Sequence, residues 1–233
     1  GNYIVGYPSR TEGDPGIPVS FSEPFLMLAH EVTRTDFARF LRARPQWEPD
    51  RRPELVAAGL ADAEYLIDWP ENWDDITRFG PAGAERFGAE PVRYVSWHAA
   101  AAYAAWLDEE IGGNGRVALP DADSWEYAAF LNALGPVDVV FESDQPVAAR
   151  SGAAGALGLR HMLGNLWEWT DDWHTQNGRL VPAPIGAQRT VIGGSYVNES
   201  TAHTRTGAQP PEWATPFLGF RVAVYPEGDG GDE

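Results

Sequence analysis

The stretch Gly158-Leu159-Arg160-His161-Met162-Leu163-Gly164-Asn165-Leu166-Trp167-Glu168-Trp169-Thr170 constrains this chain more than any other. A Gly-Asn turn runs directly into two tryptophans that flank one carboxylate, and residues 166–170 read as a strand leaving that turn. The same punctuation returns at Gly193-Gly194-Ser195-Tyr196 and at Leu218-Gly219-Phe220-Arg221. After Gly135 helical periodicity is lost. Short apolar runs at residues 166–170, 190–192, 196–197 and 220–224 stand among glycines and read as strands joined by long loops.

The first half is different. Residues 2–6 alternate weakly and residues 21–28 read as a second strand. Thr33 then caps a first helix with Asp36 three places on, and Phe37, Phe40 and Leu41 form its inward stripe. Arg44 before Pro45 marks its end. Ser96 caps a second helix with Tyr103, Trp106 and Leu107 inward, stopping at Gly112-Gly113-Asn114-Gly115. Asp121 caps a third, with Trp125, Ala128 and Ala129 inward. Residues 45–90 read as irregular, and so long a segment must pack through Trp47, Trp69 and Trp73 or carry a binding role. The order predicts an α+β fold with about three helices and short antiparallel strands. One domain is expected over residues 1–226, followed by a disordered acidic tail over 227–233.

Composition excludes several functions. The 233 residues carry a formal charge of −17 and no cysteine. Such a field repels nucleic acid and anionic membrane surfaces. Without thiols there are no disulfides, no thiolate catalysis and no sulfur-bound metal. No run approaches the roughly 18 apolar residues of a membrane span, and no basic-plus-apolar leader stands at Gly1. A soluble chain is expected, its compartment left open. His30, His98, His161, His174 and His203 show no metal-binding spacing. Glu168 and Asp172 share one side of the strand and Asp171 the other, which reads as solvent-facing carboxylates; Ser195 has no base beside it in sequence.

Five motifs in order carry a resemblance. Glu31-Val32-Thr33 precedes Phe37 and Phe40. Pro91-Val92 leads to Trp97, Tyr103 and Trp106-Leu107. Leu119-Pro120 precedes Trp125-Glu126-Tyr127-Ala128-Ala129. The Gly158–Thr170 stretch and the closing Gly-Gly-Ser-Tyr and Gly-Phe-Arg elements complete the set. Together they resemble the formylglycine-generating-enzyme, or sulfatase-modifying-factor, domain, which is a variant of the C-type lectin fold.

In catalytic members of that family a cysteine pair binds copper(I); the corresponding positions here are Asn198 and His203, so the resemblance implies no copper and no oxidase of that type. The family's calcium site would fall on Gly164, Leu166 and Glu168, with His161 replacing an acidic or amide ligand. Calcium is therefore one expectation there and no cofactor is required; the other expectation has Glu168 accepting hydrogen bonds from loop amides. Arg221 is expected to pair with a buried carboxylate or carbonyls.

Residues 196–217 are rich in aromatic, amide and hydroxyl groups, which suit an adaptable recognition surface or an ordinary polar loop equally. In this fold that region faces ligands. Its layout resembles the variable proteins of diversity-generating retroelements. The resemblance implies a non-catalytic ligand-binding module, its ligand a protein or surface, met by Tyr196, Asn198, Glu199, His203, Thr204, Arg205 and Trp213 with Trp173 and His174 alongside. The alternative is a metal-dependent oxidase that reuses the pocket without the cysteines.

Overall fold

In the computed structural model the described residues are 2–5, 17–21, 23–71, 73, 80–113, 115–136, 138–174, 188–199 and 206–226. His203, Thr204, Arg205 and the acidic tail lie outside them.

The helix starts follow their capping residues. Thr33 Oγ1 accepts from the Asp36 amide while the Asp36 carboxylate accepts from the Thr33 amide, both at 3.2 Å, so two otherwise orphaned donors are satisfied at the start of α1 (Arg34–Ala43). Phe37, Phe40 and Leu41 are its buried stripe. Helix α4 (Trp97–Ile111) begins where Ser96 accepts from the Ala99 amide, and ends at Gly112, whose φ of +53° suits a residue without a Cβ. Asp121 accepts from the Ser124 amide at 2.7 Å to start α5 (Ala122–Asn132).

The expectation of about three helices is corrected by the 45–90 segment. It holds two 3₁₀ turns (Pro45–Trp47 and Pro49–Arg51) and two further helices, α2 (Arg52–Ala57) and α3 (Gly80–Ala89). Neither helix has a readable apolar stripe: α2 is under two turns long, and α3 is built of glycine and alanine around single charges. The segment packs through its aromatics, since Trp47, Trp69 and Trp73 are all buried.

Among the described residues four sheets carry the strands. β1 (Asn2–Val5) pairs with β2 (Ile17–Ser20). β3 (Leu26–Met27), β4 (Gly115–Ala118) and β11 (Ala223–Pro226) form an antiparallel sheet in the order β3-β11-β4. β5 (Val139–Val140) pairs with β6 (Leu163–Gly164). β7 (Trp167–Trp173), β8 (Arg189–Ile192), β9 (Thr206–Gln209) and β10 (Leu218–Gly219) follow the order β10-β7-β8-β9. The antiparallel expectation needs one correction, because β5–β6 and β10–β7 are parallel. Among the described residues of 21–28, Leu26 and Met27 alone pair as strand, Pro24 having no amide hydrogen to give to a ladder. Residues 196–197 are a turn rather than a strand, closed by the Asn198 amide donating to the Ser195 carbonyl at 3.0 Å.

One large apolar core joins α1, α4, the 45–90 segment and β7, and a smaller one surrounds Trp125 on α5. Among the described residues no helix is long and apolar enough to cross a membrane.

Candidate functional site

The Gly-Asn turn has a steric cause. Gly164 has φ +85°, and a Cβ there would stand 2.2 Å from the Val140 carbonyl oxygen of β5. Asn165 follows in the left-handed region, fully buried; its Oδ1 accepts from the Val147 amide at 2.9 Å and its Nδ2 donates to Glu31 at 2.8 Å. From this turn β7 delivers Glu168 to the interior.

Both oxygens of Glu168 are committed. Arg221 donates to them from Nε and Nη2 at 2.7 Å each, and Trp125 Nε1 donates at 2.7 Å. Arg221 also donates to the Leu28 and Arg160 carbonyls, at 3.2 and 2.9 Å. Glu168, Arg221 and the Trp125 side chain are fully buried. Burial works against the Arg221 charge and the Glu168 carboxylate more than offsets it. Arg221 thus meets a buried carboxylate and carbonyls together, as its motif led one to expect.

This geometry corrects two expectations for Glu168. Its donors are side chains of Arg221 and Trp125, not loop amides. The Gly164, Leu166 and Glu168 set also does not fit calcium, because a guanidinium already occupies the face of the carboxylate that a cation would need. Among the described residues no three His, Cys, Asp or Glu side chains converge as a metal-binding set. His161, at the remaining family ligand position, is buried, with the Ala148 and Ser151 backbone as the polar groups that favour its charged form. Burial, helped by Arg221, pushes its pKa down to about 4, so it is neutral at pH 7.

Glu31 is the second acid of this interior. One oxygen accepts from Asn165 and the other, Oε2, is buried without a partner. Burial raises its pKa to about 8; Arg221 opposes the rise and Glu168 adds to it. The native state therefore holds a proton at Glu31 that the unfolded chain releases above the ordinary glutamate value of 4.5. Stability contributed here is present below about pH 4.5 and falls as pH rises toward 8, at up to about 1.4 kcal/mol per pH unit for one proton. Glu31→Gln keeps the acceptor for Asn165 and removes the titration. Urea melts between pH 5 and 9 should show a flatter dependence for the variant; an unchanged slope would mean that Glu31 ionises normally.

The expected recognition residues divide into two groups. Tyr196 is buried, so it cannot offer a contact face. Its carbonyl accepts from Ser143 at 2.8 Å and its amide donates to the Asn165 carbonyl at 2.9 Å. Asn198 Oδ1 accepts from the Ser195 amide at 2.7 Å and hydroxyl at 3.1 Å, which makes it the clamp of the turn. Glu199 beside it is exposed. These three sit where β8 and β9 meet at the Ile192–Thr206 pair. Trp173, His174 and Trp213 lie at the opposite end, where Arg189 pairs with Gln209. The four residues of β8 separate the groups by about 10 Å.

At that second end the structure joins Trp173 to two residues not expected at the site, Trp97 and Arg189. The Arg189 guanidinium carbon lies 3.6 Å from the ring centroid of Trp97 and 3.7 Å from that of Trp173, and Nη1 donates to the Asp171 carbonyl at 2.7 Å. Two cation–π contacts on one guanidinium hold both indoles rigid. Trp97 Nε1 donates to the Thr170 carbonyl at 2.9 Å and its amide to the Pro211 carbonyl at 2.9 Å, tying α4 to β7 and to the 210–213 turn. His98 stands edge-on to Trp97 at 5.5 Å. Trp173 and Trp213 remain 37% and 44% exposed. Residues 97, 173 and 189 share no sequence period, so no local signal could have grouped them. Asp172 is corrected too: its carboxylate accepts from the Ala122 amide at the start of α5 instead of facing solvent.

The comparison with known families decides what this framework is. Residues 1–135 and 131–225 match the sulfatase-modifying factor enzyme 1-like domain. The chain belongs to that family. Among curated relatives it is 26% identical to the inactive C-alpha-formylglycine-generating enzyme 2 of Mus musculus, over 96% of this chain and 83% of that protein. It is 28% identical to the formylglycine-generating enzyme of Bos taurus, over 87% of this chain and 66% of that protein. The solved Treponema denticola variable protein 1 shares the fold, with a TM-score of 0.61 at 19% identity over 97% of this chain and 92% of that one. The fold is the α+β fold of that family, as the motifs implied. This sulfatase-modifying-factor domain carries no cysteine anywhere in its sequence.

Proposed function

We propose that this domain is a non-catalytic binding module whose ligand is a protein, met at the aromatic end of the β7–β8–β9 sheet. The observation that carries the reading is the Trp97–Arg189–Trp173 stack, with Trp173 exposed on its outer side and Trp213 exposed nearby. Rigid aromatic and arginine side chains are the usual anchors of protein interfaces because they bury much area at little entropic cost. The lack of cysteine supports the same reading, since copper(I) chemistry needs soft thiolate ligands. A relative named inactive fits a family in which the scaffold outlives the reaction. The competing oxidase would need ligands at Asn198 and His203, and Asn198 already spends its side-chain oxygen on Ser195.

Trp173→Ala/Trp213→Ala tests the placement. Partners that co-purify with the wild-type domain are identified by mass spectrometry and their affinities measured by calorimetry. A loss of tenfold or more is expected, from two anchors worth about 1–2 kcal/mol each. Undiminished affinity in the folded double variant would move the site off this end. The finer reading, a diversity-generating retroelement variable protein, predicts substitutions among close relatives from one genome concentrated in residues 196–217; even drift along the chain would remove it.

A further inference from the structure

A concave surface lies between β3 and α5, lined by none of the residues of the aromatic end. It is a cleft of about 520 Å³ lined by Phe21, Phe25, Leu26, Tyr127, Leu131 and Leu157 among others. That volume suits a small organic molecule, and walls of this apolar kind with few polar groups are what such sites present. Its aromatic wall is ordered by ring contacts: Phe21 stacks on Tyr127 with centroids 4.7 Å apart and planes 15° apart, and Phe25 tilts against Phe21 at 5.7 Å. Its floor is the buried pair Ala128 and Leu159. Leu26 and Leu157 are 71% and 51% exposed at its edges, so large apolar surface faces solvent around a hollow.

The rim supplies the sign of charge. Glu23 is the one charged side chain among the described residues lining the cleft, and it is exposed. It stands in a chain of net charge −17, which concentrates cations near its surface. An anionic amphiphile such as a fatty acid would meet repulsion from Glu23 at the mouth, with no arginine among the described lining residues to offset it. We infer that this cleft binds a small amphiphile with one apolar chain or ring and a single cationic head, the apolar part against the Phe21–Tyr127 wall and the head at Glu23. This site is independent of the protein-binding end proposed above.

Matched probes of one chain length test the inference: octylammonium, octanol and octanoate, each below its aggregation concentration, titrated by calorimetry into the whole chain. Octylammonium is expected to bind about two- to fivefold more tightly than octanol, and octanoate more weakly than either, the range reflecting a solvent-exposed carboxylate. Added salt should shrink that advantage. Glu23→Gln should bring octylammonium down to octanol and leave octanol unchanged. Leu157→Arg, at a half-exposed rim position, should weaken octylammonium tenfold or more with the melting temperature retained. Equal binding of all three probes, a preference for octanoate, no saturable binding, or wild-type affinity in a folded Leu157→Arg variant would each overturn the inference. Trp173→Ala/Trp213→Ala should bind octylammonium like wild type, so failure of either proposal is read separately.

Discussion

Arg221→Met is expected to destabilise the domain by about 3–5 kcal/mol, a large share of the roughly 5–15 kcal/mol stability of an ordinary domain. Three losses coincide. The Glu168 carboxylate is left charged in a site without water access, keeping Trp125 Nε1 as its remaining hydrogen-bond donor. The Leu28 and Arg160 carbonyls lose the Arg221 donors that reach them at 3.2 and 2.9 Å. Methionine fills much of the volume, so the cost reflects charge and hydrogen bonding more than a cavity. Urea denaturation at pH 7 measures it. The double variant Arg221→Met/Glu168→Leu should recover a large part of the loss, because a buried pair replaced as a unit leaves no orphaned charge. A single variant within about 1 kcal/mol of wild type would show that the pair is dispensable.

Phe37→Ala should cost about as much, 3–5 kcal/mol, for a different reason. Phe37 is fully buried at the meeting point of four rings: Phe40 at 5.1 Å, Tyr103 stacked at 5.8 Å, Trp69 at 6.1 Å and Phe220 at 6.2 Å between centroids. Those rings come from α1, α4, the 45–90 segment and the residue after β10. Removing the ring opens a cavity that rigid aromatic neighbours cannot collapse into, and the elements lose their common contact. Val56→Ala, at an exposed position of α2, is the control and should change stability by no more than about 0.5 kcal/mol. A Phe37→Ala effect as small as that of the control would mean the core reorganises freely.

The parts of the fold that were legible depend on neighbours close in sequence. The three caps at Thr33, Ser96 and Asp121 are read from one or two residues and the turn that follows. Gly112 and Gly164 mark positions where a backbone needs a left-handed φ. The conspicuous partner of Arg221 was foreseeable in kind, since a lone arginine in an apolar Gly-Phe-Arg-Val run has to be neutralised. Helices α2 and α3 escaped because tertiary packing holds them, Leu55 being the buried residue of α2 and Phe87 of α3 standing edge-on to Trp69 at 5.6 Å, which no local period records. The turn at residues 196–197 looked like a strand because an apolar residue follows a tyrosine; the Asn198 side chain, three positions beyond Ser195, competes successfully for the backbone.

The candidate site divides along the same line. Composition excludes one chemistry there: a chain without cysteine has no thiolate, whatever its fold. The motif order likewise named the family, because glycines, caps and paired tryptophans at set positions encode turns and strand starts locally. Which of the expected residues are buried and which are exposed was decided only by tertiary structure. Tyr196 and Asn198 proved to be framework, and Trp97, Trp173 and Arg189 became one stack because β7, β8 and α4 meet there. Burial and long-range stacking are properties of packed surfaces, and a linear pattern holds no record of which surfaces will touch.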